Sequence, residues 1–341
     1  MLSDGLLFSA FGLNVRLDCG AAILPPPVLD CFRLADCSRP DTADVDLVVH
    51  LLGASRRNGQ KIELTHHVSA DKAIRFHSFD TADGRSQRFA SETSRGRVEF
   101  FFGEGAREMW VSWTEEAPAD EVLSLLFNSM LAWAARISGR ICLHASVVAR
   151  DGHAIAFVAP SGSGKSTIAA CLIERGYAGM SDDAAALTHD GERFCVNPGL
   201  PQLGLRHPSL EALPRFRAAP SIETDDKRRY ALMASDPSHQ LRFQNRVLPL
   251  ATIYFLRRAA SCDVPEVRPS KAPDAIAILM RNFYPASKRP TKIANAARQA
   301  ADLSSLVKSV RCRHLLIPDD VAKLPSTADG IVEDITNQLA G

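Results

Sequence analysis

The sequence predicts an α/β fold preceded by a β-rich module, and three observations lead there. From residue 140 onward, an apolar strand pattern, a glycine-rich turn and an amphipathic helix follow one another, as in the βα step of an α/β sheet. Before about residue 118 the chain instead reads as short β-branched and aromatic runs bounded by Gly, Pro, Asp and Ser. At 341 residues it exceeds a single typical core, since domains hold roughly 100 to 200 residues.

Composition narrows the classes. Forty Lys and Arg against 39 Asp and Glu leave a net charge of +1, so no broad field draws nucleic acid or an anionic membrane. Hydrophobic residues make up 46% and charged residues 23%, the balance of a globular protein. No apolar run reaches the roughly 18 to 20 residues that span a bilayer. The start, "MLSDGLLFSAFGLNV", carries Asp4 and no basic segment, so it lacks the layout of a secretory signal and points to a cytoplasmic protein. The eight cysteines form no CxxC pair and read as buried free thiols. The adjacent His66 and His67 read as a solvated or edge-strand pair, not as metal ligands.

In order along the chain, residues 1–118 form a β-rich α+β domain whose strands are "LFSAFGLNVRLDC", "DVDLVVHLLG", "AIRFHSF", "RVEFFFG" and "EMWVSWTE". Over 119–139 the period changes: Val122, Leu125, Leu126, Met130, Trp133 and Ile137 recur at three and four, which predicts a connecting helix. Asp120 is its expected N-cap and Gly139 its end. Residues 140–341 form the α/β domain, opening with the strands "ICLHASVVA" and "HAIAFVA", then the loop, then the helix "STIAACLIERG". Ile168, Leu172 and Ile173 give that helix its buried face, and Gly176 stops it.

The chemistry concentrates in "APSGSGKST". Gly162, Gly164, Lys165 and Ser166 match the end of the Walker A pattern GxxxxGK[ST], with Ala159 in place of its first glycine. Such glycines let successive backbone N–H groups curl toward phosphate oxygens, and the following helix start adds a favourable dipole. The expected nucleotide-binding stretch is Ser161, Gly162, Ser163, Gly164, Lys165, Ser166 and Thr167, with Lys165 on the β and γ phosphates and the Ser166 hydroxyl on magnesium. Sixteen residues past Ser166, "MSDD" presents Asp182 and Asp183. One carboxylate could hold magnesium and the other accept a hydroxyl proton; without the loop, the pair would read as a loop cap. His144, in an otherwise apolar strand, is either a hydrogen-bonded core histidine or a site residue.

The succession "LHAS", "APSGSGKST", "MSDD" resembles the HPr kinase/phosphorylase family, whose catalytic domain is related in fold to phosphoenolpyruvate carboxykinase. "NPGLPQLGL", "DKRRYAL", "LPLATIYFLRR" and "RNFYP" further resemble the HPr-kinase-related proteins of peptide-modification clusters, including kinases of lasso-peptide precursors. The resemblance implies a C-terminal P-loop kinase domain using ATP and Mg2+, with Asp182 as general base, Asp183 as its magnesium-linked or supporting partner, Ser166 and Asp183 as the metal-holding residues, and His144 orienting the aspartate. It implies Lys227, Arg228 and Arg229 as groups holding the transferring phosphoryl or an acidic substrate group; an exposed basic turn is the plain alternative. The "MEIRG" signature of bifunctional members is absent, and "NPGLPQLGL" occupies its approximate place.

The expected activity is ATP-dependent transfer of the γ-phosphoryl to a serine-type hydroxyl on a peptide or protein, with neither nucleic acid nor membrane as partner. The N-terminal module would recognise substrate or support assembly, a homo-oligomer included. A small-molecule alcohol kinase fits the same residues. A nucleotide-operated switch or transport ATPase would want an NKxD-like or LSGGQ-like signal, and neither occurs.

Overall fold

The computed structural model describes residues 6–19, 44–53, 77–80, 87–219, 221–223, 228–232, 241–284 and 296–340. His66, His67, Lys227 and the prolines 25–27 lie outside them. The protein is mixed α/β and divides into two compact units, the first built mainly of residues up to Arg140 and the second mainly of residues from Ile141 onward.

In the first unit, seven strands form one mixed sheet: β1 (Leu6–Ala10), β2 (Leu13–Cys19), β3 (Leu47–Gly53), β4 (His77–Asp80), β5 (Gln87–Glu92), β6 (Arg97–Phe102) and β7 (Glu108–Trp113), in the order β1-β2-β3-β7-β6-β5-β4. The run expected as a single strand at the start breaks into a hairpin, because Phe11 (φ 57°) and Gly12 (φ 74°) both take the left-handed conformation that suits a two-residue connection. On β6 the alternation buries Val98, Phe100 and Phe102 and leaves Arg97, Glu99 and Phe101 half-buried, the period-two pattern of a sheet covered on one face.

That cover is the 119–139 segment, which winds as α1 (Ala119–Leu125), a π turn (Leu126–Met130) and α2 (Leu131–Ile137). The Trp133 ring meets Phe89 edge-on at 5.0 Å between centroids, and its Nε1 donates to Gln87 Oε1 at 2.9 Å. The segment therefore joins the core of the first unit. Its N-cap is Pro118 and not the expected Asp120: the Pro118 carbonyl already accepts from Val122 N at 3.1 Å, which places Asp120 inside the first turn. Glu121 instead reaches out of the helix to accept from Ser94 N at 2.8 Å.

The second unit is organised around β17 (Leu248–Ala259), a strand of twelve residues. Along its C-terminal part it pairs in parallel with β10 (His153–Val158) on one side and β19 (Arg311–Pro318) on the other. β9 (Ala145–Arg150) and β11 (Ala178–Ser181) continue the sheet antiparallel beyond β10, and β18 (Glu266–Pro269) lies antiparallel beyond β19. The start of β17 pairs with β13 (Phe194–Asn197), which leads through β12 (Ala185–His189) to β8 (Ile141–Leu143). A separate three-stranded sheet holds β14 (Gln202–Leu205), β16 (Arg228–Ala231) and β15 (Ser221–Glu223), with the short helix α4 (Pro214–Ala218) in the connection that follows β14.

Both faces of the sheet are covered. Helices α3 (Lys165–Glu174) and α7 (Leu324–Ala340) bury Ile168, Leu172, Ala328 and Ile331 against Phe157, Tyr254 and Leu256. On the opposite face, α5 (Ala272–Arg281) and α6 (Ala296–Ser309) bury Ala275, Leu279, Leu303 and Leu306 against Ala156, Ile253 and Phe255. Successive residues of β17 thus feed opposite cores, as strand geometry requires. Helix α3 hides Ala169, Ala170 and Cys171 in addition to the three residues expected from its periodicity, because Leu203, Leu205, Phe216 and Tyr230 of the small sheet and its connection join the same core around it.

Gly176 ends α3 as expected. It sits at φ 89°, its N–H donates to Ile173 O at 3.0 Å, and Tyr177 N donates to Leu172 O at 3.2 Å, which together make a Schellman cap. A Cβ there would be forced into the left-handed region, so Gly176→Ala should lower unfolding free energy by about 1 to 2 kcal/mol. Urea melts of the two proteins read that difference as a shifted midpoint at constant slope.

Cys142, Cys171, Cys195 and Cys262 are buried free thiols. Burial pushes the Cys171 and Cys312 thiols up to about 12, so neither is a thiolate nucleophile near neutral pH. Among the described residues, no helix is long and apolar enough to cross a membrane.

Candidate functional site

The site forms at the carboxyl end of β10. There the chain leaves the sheet through 159–164 and enters α3 at Lys165. Gly162 and Gly164 adopt φ 80° and 98°, and these two left-handed residues let the loop fold back over the helix start. Ile168 N donates to Gly164 O at 2.9 Å, closing the first turn of α3.

Lys165 is 5% exposed. Its Nζ donates to the carbonyls of Ala159 at 2.8 Å and Pro160 at 3.2 Å, and lies 3.2 Å from His144 Nε2. An ammonium can only donate, so Nε2 is the accepting nitrogen of the imidazole. His144 occupies the bend between β8 and β9, where its backbone N–H donates to Asn282 O at 2.7 Å, just past the end of α5. The resemblance assigns His144 to orient an aspartate; the structure sets its ring against Lys165.

Asp182 follows directly on β11. Because β11 runs antiparallel to β9, the end of the one lies beside the start of the other. Ser146, a fully buried serine of β9, accordingly donates to Asp182 Oδ1 at 2.6 Å. Ser166 donates to the same oxygen at 2.9 Å, and Gly204 N donates to Oδ2 at 3.0 Å. Three donors on one carboxylate suit its ionised, acceptor-only form.

The metal pairing expected from sequence is Ser166 with Asp183; in the structure the hydroxyl of Ser166 donates to Asp182. Asp183 sits at φ 61° in a three-residue turn, closed by Ala184 N donating to Asp182 O at 2.7 Å. Aspartate tolerates the left-handed region better than most non-glycine residues, at some cost in strain.

Of the expected loop residues, Ser161 and Gly162 are exposed, and Thr167 is tied to Ser209 through their hydroxyls at 2.9 Å. Ser163 N donates to Pro160 O at 3.3 Å, which tightens the turn ahead of Gly164. Arg228 and Arg229 are half-buried on β16, so they are not an exposed turn. Arg229 is the register partner of Gly204, the residue whose N–H holds Asp182, and this brings the small sheet to the site's edge.

Sequence reading missed Ser146 and Gly204, and it missed two arginines. Arg258, at the end of β17, donates through Nη2 to Gly162 O at 2.9 Å while its Nη1 lies 3.1 Å from Asp319 Oδ1. Arg206 brings Nη1 to 3.9 Å from where a Cβ on Gly162 would stand. A repeated LR or GLR is no signal by itself; "FLRR" at the end of a long apolar strand could have flagged Arg258. Removing the anchor in Arg258→Ala frees the Gly162 peptide, and affinity for the nucleotide expected from the loop's sequence should fall by about 1 to 2 kcal/mol, roughly tenfold, as read by calorimetric titration. Asp319→Asn, which breaks only the exposed ion pair, should change it by less than about 1 kcal/mol.

No group of three or more His, Cys, Asp or Glu among the described residues is arranged around a common metal position. Magnesium held with a nucleotide needs fewer protein ligands, since phosphate oxygens and water complete its shell. Ser166 Oγ and Asp182 Oδ1, two hard oxygens side by side at the helix start, fit that demand.

What fold and side chains define together is a mixed α/β protein with a glycine loop, a buried lysine and a serine–aspartate pair at the end of a parallel strand. No protein-family model matches the chain, and no curated protein matches it. Among solved structures it is similar to the HPr(Ser) kinase/phosphatase from Coxiella burnetii, at 13% sequence identity over 59% of this chain and 99% of that one, with a TM-score of 0.31. At that TM-score the two folds are not shown to be the same, and the chain's own side chains carry the functional reading.

Proposed function

We propose that the protein is an ATP-dependent kinase of the HPr-kinase-like, P-loop type, transferring the γ-phosphoryl to a serine-type hydroxyl of a peptide or protein. The observation that carries this is the Ser166–Asp182 hydrogen bond beside buried Lys165, formed where β10 feeds α3. Nothing in a purely structural glycine turn requires a buried ammonium beside a hydroxyl–carboxylate pair.

Each residue has a task. The N–H groups of the loop and the start of α3 receive phosphate oxygens. Lys165 exchanges its loop carbonyls for β and γ phosphate oxygens, and His144 keeps it aimed there. Ser166 and Asp182 would hold Mg2+, which when bound neutralises charge on the β and γ phosphates. Asp182 already has donors on both oxygens, so we assign it to the nucleotide side and give the proton of the acceptor hydroxyl to Asp183. This exchanges the roles that the family resemblance implied. We assign Arg206, Arg228 and Arg229 as the cations that balance charge on the transferring group.

The test is incubation with γ-labelled ATP, magnesium and serine peptides, with ribosomal peptide precursors among the first to try, followed by mass spectrometry. A gain of one phosphate on a serine is the expected result. Release of label only as inorganic phosphate, on every peptide, would reassign the site to an ATPase.

A further inference from the structure

On the other side of β17 from the glycine loop lies a groove of about 460 Å³, within the roughly 300 to 1,000 Å³ of small-molecule sites. Its floor is apolar where Phe255 lies, and its rim carries Arg257, Arg268 and Lys271 against the single carboxylate of Asp274. In a chain of net charge +1 this is a local excess of positive charge. None of the three cations makes a side-chain hydrogen bond or ion pair with a described residue, whereas Arg175, Arg258, Arg313 and Lys323 of the same unit all pair with aspartates. His314, on the wall, is fixed by Ser270 Oγ at 3.0 Å from its Nε2.

The groove belongs to the same working edge as the loop. β10, β17 and β19 are parallel, so their carboxyl ends coincide, and Arg257 and Arg258 leave the end of β17 toward groove and loop respectively. Helix α5 begins at the groove with Lys271 as its N-cap and ends at Asn282, whose carbonyl accepts from His144 N. Its ten residues span about 15 Å at ~1.5 Å each. An extended peptide covers that distance in about five residues at ~3.3 Å per residue.

We propose that this groove binds an acidic segment of the phosphoryl-accepting peptide or protein, placed about five residues from the hydroxyl that is phosphorylated. The proposal rests on the kinase reading for the word acceptor; the binding itself does not need it. Charge complementarity selects the occupant: unpaired cations around an apolar floor fit Glu or Asp side chains interspersed with apolar ones, and repel a basic segment.

The test uses the full chain and three fluorescent serine peptides of one length, which carry a run of Glu, Gln or Lys about five residues from the serine. Fluorescence anisotropy should show the Glu peptide binding at least about tenfold tighter than the Gln peptide, with affinity falling as salt rises. The variant R257E/R268E/K271E should lose that preference while binding a fluorescent ATP analogue as the wild type does. Equal binding of Glu and Gln peptides, or an undiminished Glu preference in the folded variant, overturns the proposal. So does displacement by inorganic phosphate at the same concentration as by the peptide, which would mark a simple anion subsite. Should the triple variant fail to fold, R268Q and K271Q, both at exposed positions, must each weaken the Glu peptide by about two- to threefold, and no weakening overturns it. Absence of ATP binding with the Glu preference intact sinks the kinase reading and leaves the groove standing.

Discussion

Lys165→Met should reduce phosphoryl transfer by about 10²- to 10³-fold or more, the usual cost of removing one charge-stabilising donor from a reacting centre. Methionine keeps most of the volume of a side chain that is buried in the wild type and deletes only its charge and donors. Nucleotide affinity should fall as well, by about 2 kcal/mol or roughly 30-fold, since a hydrogen bond to a charged group is lost. Calorimetric titration with a non-hydrolysable ATP analogue reads the second figure, and single-turnover transfer reads the first. Lys165→Arg should rescue little, because a planar guanidinium cannot take the place of a compact ammonium among the carbonyls of Ala159 and Pro160 and the imidazole of His144. Full activity in the methionine variant would remove the loop from the chemistry.

The aspartates should separate in a paired experiment. Asp183→Asn should leave nucleotide binding within about twofold of wild type and lower transfer by about 10²- to 10⁴-fold, the range expected for loss of a positioned base. Asp182→Asn should damage both, since its carboxylate is the common acceptor for Ser146, Ser166 and Gly204. An amide in its place brings its own N–H donors to face those donors, and the Ser166 hydroxyl loses its aim. A titration of magnesium dependence distinguishes the two: only Asp182→Asn should shift the half-saturating concentration upward. The reverse outcome, with nucleotide binding intact in Asp182→Asn and transfer intact in Asp183→Asn, would restore the assignment that the family resemblance suggested.

Much of the site was legible because its core is local. Gly162, Gly164, Lys165 and Ser166 are neighbours in sequence, and the left-handed glycines and helix start follow from residue type alone. Gly176 as a helix stop and the apolar face of α3 were equally local. What could not be read depends on pairing between distant strands. Ser146 meets Asp182 only because β9 and β11 run antiparallel, and Gly204 arrives through a three-stranded sheet whose register no periodicity announces. Arg258 reaches Gly162 across 96 positions of sequence. The Ser166–Asp182 bond was beyond reach for a different reason: in a run of two adjacent aspartates, residue type alone does not say which one meets Ser166. In the first unit, "QRFASE" hid β5 because its buried run, Phe89, Ala90 and Ser91, does not alternate as a half-covered strand should.

The closing residues of β17 impose a rule of parity on the molecule. Arg257 serves one side of the sheet and Arg258 the other, and a slip of one residue would swap every side chain between them. That slip is blocked on both flanks, since β10 and β19 each fix the strand in parallel register and Tyr254 and Phe255 are locked into opposite cores. A single inserted or deleted residue anywhere between Ile253 and Arg258 would therefore strike loop and groove together. Point substitutions can retune either one alone. In this chain the two surfaces are free to drift in chemistry but are bound to be inherited as a pair.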